Sequence, residues 1–83
     1  MNIYLIQNNL KDDSTLVEKI KTLGVWSKYF PNTILVKSEL TSQQLYEKIS
    51  PGFEKDWIFI VEISKTNFWG IMPTSVWDWI KKP

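Results

Sequence analysis

An α+β sandwich of four strands and two helices in the order βαββαβ is what this sequence predicts, and three observations predict it. Ile3-Tyr4-Leu5-Ile6 is a continuous apolar run at the start. Two later segments pair helix-start signals with apolar residues at helical spacing, and Trp57 to Ile63 alternates like a strand. The 83 residues make one domain, near the size at which a chain buries only about 60% of its unfolded surface. The span 1–83 is therefore read as a single unit, with a core over 1–64 and a tail over 65–83.

Taken in order, the opening run has the character of a central strand covered on both faces. Asn8 and Asn9 open a polar turn. Asp12, Asp13, Ser14 and Thr15 offer several N-caps, with Thr15 and Glu18 at capping-box spacing. Leu16, Ile20 and Leu23 recur at i, i+4 and i+7, and Gly24 is read as the left-handed residue that ends the helix. Trp26, Tyr29 and Phe30 favour a strand, Pro31-Asn32 a turn, and Thr33 to Lys37 the second arm of a hairpin. Thr41 with Gln44 forms a capping-box pair, and Leu40 with Leu45 a hydrophobic staple. The short helix that follows buries Leu45 and Ile49 and stops at Pro51-Gly52. After the strand at 57–63, the tail is expected to add a fifth strand at 68–72 and a short helix over 73–82. This order is that of a ferredoxin-like fold.

Composition excludes several chemistries. Cysteine is absent, which removes disulfides, zinc–thiolate sites and thiol nucleophiles and leaves a reducing, cytoplasmic setting as the expectation. Histidine is absent too, and with it the commonest general base and metal ligand. All ten basic residues are lysines, set against nine acidic ones, so no guanidinium fork is available for bidentate reading of phosphate or guanine. The serines lack a histidine or cysteine partner, and Gly24, Gly52 and Gly70 spell no phosphate-cradling motif. No apolar stretch approaches the roughly 20 residues of a membrane span.

Four stretches carry a family likeness: Tyr4-Leu5-Ile6 with Leu10, Leu23-Gly24-Val25-Trp26, Ile34-Leu35-Val36-Lys37, and Trp69-Gly70 ahead of Trp79-Ile80-Lys81-Lys82. Across nearly the whole chain they resemble small bacterial proteins labelled SinR-like, distantly related to virulence-associated protein D and to the small CRISPR-associated protein that partners the spacer integrase. The resemblance implies a ferredoxin-like homodimer in which the C-terminal strand or tail crosses to the partner's sheet. In the wider superfamily an aspartate ending the first strand is the proposed metal ligand of a nuclease. The matching position here is Asn9, whose amide offers one weak neutral oxygen in place of a charged one. Asp12 or Asp13 would have to replace it, although both are more simply helix caps and dipole partners.

The bland reading places Trp57 in the core beside Phe59 and Val61. Ile58 and Ile60 then fall on the open face of the sheet. With Trp69, Ile71 and Trp77 from the tail, they are expected to form a dimer or partner interface, though a tail folded back on its own sheet would give the same pattern. The expectation is a non-catalytic homodimeric binding module engaging a protein or nucleic-acid partner, in a mobile-element or defence context, without cofactor. The alternative is a nuclease using magnesium at a displaced carboxylate site. An RNA-binding sheet ranks last, because Thr33 to Lys37 carries no aromatic residue.

Overall fold

A computed structural model describes residues 1–64, 70 and 74–82, with Tyr29 described by its backbone. The elements are β1 (Asn2–Asn8), α1 (Ser14–Lys21), β2 (Val25–Phe30), β3 (Thr33–Ser38), α2 (Ser42–Ile49), β4 (Ile58–Ile63) and α3 (Thr74–Lys81). The strands form one antiparallel sheet ordered β2-β3-β1-β4. In this order β3 lies between β2 and β1, and β1 between β3 and β4, so two βαβ units interleave. Together with the packing of α1 and α2 described below, this is the ferredoxin-like α+β arrangement, with α3 added at the end.

Register follows from β1, where Leu5 stands opposite both Leu35 and Val61, and Tyr4 opposite Val36 and Glu62. Side chains alternate across the pleat, and Tyr4, Ile6, Ile34 and Val36 accordingly meet the helical layer. There they join Leu16, Val17 and Ile20 of α1 and Leu45 and Ile49 of α2 in the larger core. Each such aliphatic side chain contributes roughly 1.5–3 kcal/mol on burial. The Tyr4 hydroxyl, enclosed with it, donates to the Leu40 carbonyl at 2.6 Å.

The second helix begins as its sequence requires. Gln44 N–H donates to Thr41 Oγ1 at 3.1 Å, and Thr41 N–H donates to Gln44 Oε1 at 2.9 Å, closing the capping box. Leu40, the outer half of the staple, packs on the same core as Leu45. The first helix starts differently, at Ser14, with Thr15 and Glu18 already inside it. Asp12 Oδ1 accepts from Ser14 N–H at 3.0 Å, whereas the Asp13 side chain makes no cap bond.

Gly24 corrects an expectation. Its backbone is not left-handed; a Cβ there would lie 2.0 Å from the Lys37 carbonyl oxygen. The residue is needed because β2 enters the sheet against β3 with no room for a side chain. Among the described residues φ is positive at Asn32, 61° in the β2–β3 turn, at Gly52, 93° after α2, and at Gly70, 157°.

A second, smaller core lies on the other face of the sheet, where Val76 and Ile80 of α3 cover Ile3 and Leu35, with Leu5, Ile63, Trp77 and Trp79 packed around them. The tail helix therefore folds back on its own sheet. The expected fifth strand, with Trp69 and Ile71, lies outside the described residues apart from Gly70. None of the described helices is long and apolar enough to cross a membrane.

Candidate functional site

The position matched to a metal ligand lies where β1 ends beside the start of β4. Asn9 N–H donates to the Trp57 carbonyl at 3.2 Å, and Asn9 Oδ1 accepts from Trp57 N–H at 2.8 Å. The side chain thus extends the β1–β4 ladder by one pair beyond the strands. Its neighbour Asn8 performs a similar task on the opposite side, where its Oδ1 accepts from Leu10 N–H at 3.0 Å and from Asn32 Nδ2 at 2.7 Å. Asn32 Nδ2 also donates to the Leu10 carbonyl at 2.6 Å. The left-handed conformation of Asn32 turns its amide toward β1, which ties the hairpin tip to the first loop.

The two carboxylates after Asn9 are also engaged. Asp12 is exposed, and the Ser14 backbone N–H and hydroxyl hold its carboxyl below the ordinary aspartate range. Asp13 is buried and pairs through Oδ1 with Lys28 Nζ at 2.6 Å, while its Oδ2 has no hydrogen-bond partner among the described residues. No group of three or more Asp or Glu side chains able to hold a metal ion forms among the described residues.

The sheet face is assigned opposite to expectation. Ile58 and Ile60 are half-buried and pack against the larger core, under the helices. Trp57, Phe59 and Val61 point the other way and are 78%, 62% and 39% exposed. They share the α3 side with Ile63, but α3 ends its cover short of them. The register sets this: Ile60 stands opposite Ile6, which lies under the helices, whereas Phe59 and Val61 stand opposite Gln7 and Leu5. Gln7, Asn8, Asn9, Trp57 and Phe59 line a shallow depression of about 170 Å³ at this edge. Trp77, also expected at an interface, is half-buried within the second core of its own chain.

Two of the lysines are engaged within the chain. Lys28 is held by Asp13, and Lys37 is buried in β3 at 6% exposure, where it meets α3. The sequence held a signal for Lys37, since it directly follows Ile34, Leu35 and Val36, which are apolar on both faces of the strand. It held a weaker one for the exposed stripe, the aromatic residues on one parity of β4.

Fold and site together define a small ferredoxin-like α+β domain with a helix folded onto part of its open sheet face. No family model, curated protein or solved structure matches the chain.

Proposed function

We propose that this chain is a non-catalytic ferredoxin-like binding module of the SinR-like and CRISPR-adaptation-protein kind, working as a homodimer that engages a protein or nucleic-acid partner in a defence or mobile-element setting. The observation that carries this reading is the row Trp57, Phe59 and Val61, exposed on an end strand of the described sheet. Large apolar side chains lined up at two-residue intervals beside a sheet edge suit burial against another chain. Support for a non-catalytic role comes from Asn9 Oδ1, which is occupied in strand pairing, and from Asp13 Oδ1, which is held in an ion pair with Lys28.

The experiment is solution mass by light scattering on the wild type and on a Trp57→Lys, Phe59→Lys double variant. A wild-type dimer that becomes a folded monomer in the variant supports the reading; a monomeric wild type overturns the dimer. Ile58 and Ile60 are unsuitable for this test, because charging them would break the core beneath α1 and α2.

A further inference from the structure

The described sheet has two end strands, and they are built differently. At one end, β2 loses regular register with β3 between Ser27 and Phe30, and Lys28 stands in that irregular stretch with its ammonium on Asp13. Irregular pairing and a lysine both discourage an edge from pairing with another chain. At the other end, β4 keeps unbroken register with β1 from Ile58 to Ile63. Its sequence, Ile58-Phe59-Ile60-Val61-Glu62-Ile63, carries one charge, at Glu62.

The direction of the β4 backbone groups follows from the residue before the strand. Trp57 N–H and C=O both turn toward Asn9 at the end of β1, and in an antiparallel ladder this direction alternates from one residue to the next. Phe59, Val61 and Ile63 therefore bond to β1. The N–H and C=O groups of Ile58, Ile60 and Glu62 face the other way, where no described strand lies beyond them.

The stretch Trp57 to Ile63 complements itself. Turned about a two-fold axis at Ile60, a second copy sets Ile60 opposite Ile60, Ile58 opposite Glu62, Phe59 opposite Val61 and Trp57 opposite Ile63. The outward groups then exchange hydrogen bonds at Ile60 and at both Ile58–Glu62 pairs. Each Phe59–Val61 pair puts an aromatic ring beside a β-branched side chain, a favourable cross-strand neighbour, and Glu62 meets no like charge. Pairing of this kind uses backbone groups, so Ile58 and Ile60 keep their packing on the larger core.

We infer that β4 pairs antiparallel with β4 of a second copy about a two-fold axis at Ile60, joining the two sheets into one. The inference rests on the homodimer of the proposed function and states how that dimer is made. It also brings the two rows of Trp57, Phe59 and Val61 side by side on one face.

Glu62→Pro tests the pairing, because proline removes an outward N–H and leaves the bonds from β4 to β1 in place. In light scattering over a concentration series, the dimer dissociation constant should rise about 10- to 100-fold. The chain has no cysteine, so introduced thiols report the register. An equal mixture of Phe59→Cys and Val61→Cys chains should oxidise to the mixed disulfide with little self-linked product. Opposed residues have Cα atoms about 4.5 Å apart, within disulfide reach, whereas Phe59 and its own copy stand diagonally at about 7–8 Å. A wild-type dimer that Glu62→Pro leaves as tight, or a mixed disulfide in no more than the statistical proportion, overturns the edge pairing while the homodimer stands. A monomeric wild type overturns both. Should Glu62→Pro fail to fold, the disulfide pattern decides.

Discussion

Asn9 and Trp57 exchange two hydrogen bonds, one from the Asn9 backbone N–H to the Trp57 carbonyl and one from the Trp57 N–H to the Asn9 side-chain oxygen. The side chain thereby supplies the second bond of a pair that lies just beyond the last ladder pair, Asn8 with Ile58. Asn9→Ala removes the acceptor from Trp57 N–H at a position open to solvent, so the expected loss is about 0.5–1.5 kcal/mol in urea unfolding. Asn9→Asp keeps an acceptor there and should cost less than Asn9→Ala at neutral pH. A larger loss for Asn9→Asp would show that the amide nitrogen matters as well.

Gly24→Ala places a methyl carbon on the Lys37 carbonyl, which is backbone and cannot step aside as a side-chain tip would. The β2–β3 pairing must shift, and a stability loss of about 1–3 kcal/mol is expected. Gly52→Ala offers the comparison: its Cβ meets nothing nearby, and its cost comes from the positive φ alone. Thermal melts of both variants separate crowding from backbone strain.

Tyr4→Phe keeps the ring in the larger core but strips the Leu40 carbonyl of its donor. The expected cost is about 1 kcal/mol, read as a lower urea midpoint at unchanged slope. No loss would mean that another donor replaces the hydroxyl.

Acid should weaken the fold through two exposed carboxylates. The Ser14 backbone N–H lowers the Asp12 carboxyl and the Gly52 backbone N–H lowers that of Glu54. Each then binds a proton less readily in the folded chain than in the unfolded one. Their stabilisation is complete above the ordinary carboxylate range near about pH 4 and is lost as pH falls through the lowered folded values. A double variant, Asp12→Asn with Glu54→Gln, should show a shallower fall in Tm between about pH 5 and about pH 2.5. An unchanged slope would sink the assignment to these groups.

Much of the fold was legible because its signals are local. Thr41 and Gln44 cap α2 through atoms three residues apart, so spacing alone identifies them. The alternation of β4 was equally visible, but a two-residue period says only that two faces exist, not which one meets the helices. With Ile58 and Ile60 on one parity and Trp57, Phe59 and Val61 on the other, both looked apolar, and ring size favoured the wrong side. Gly24 misled for a related reason. A glycine after a helix suggests a left-handed cap, whereas here the requirement comes from Lys37 in a strand that follows a separate turn. Asn9 was legible as a departure from the family's carboxylate; its bond to Trp57, far along the chain, was not.

The central place of β1 bears on how the chain is made. Its two neighbours, β3 and β4, both follow it in sequence, and synthesis adds only about 5–20 residues per second. During translation Ile3, Tyr4, Leu5 and Ile6 emerge early, yet the last strand to flank them cannot pair until Ile63 has left the ribosome. For several seconds the β4-facing edge of this strand-prone apolar run has no partner, which makes it the edge of the unfinished chain most open to mispairing.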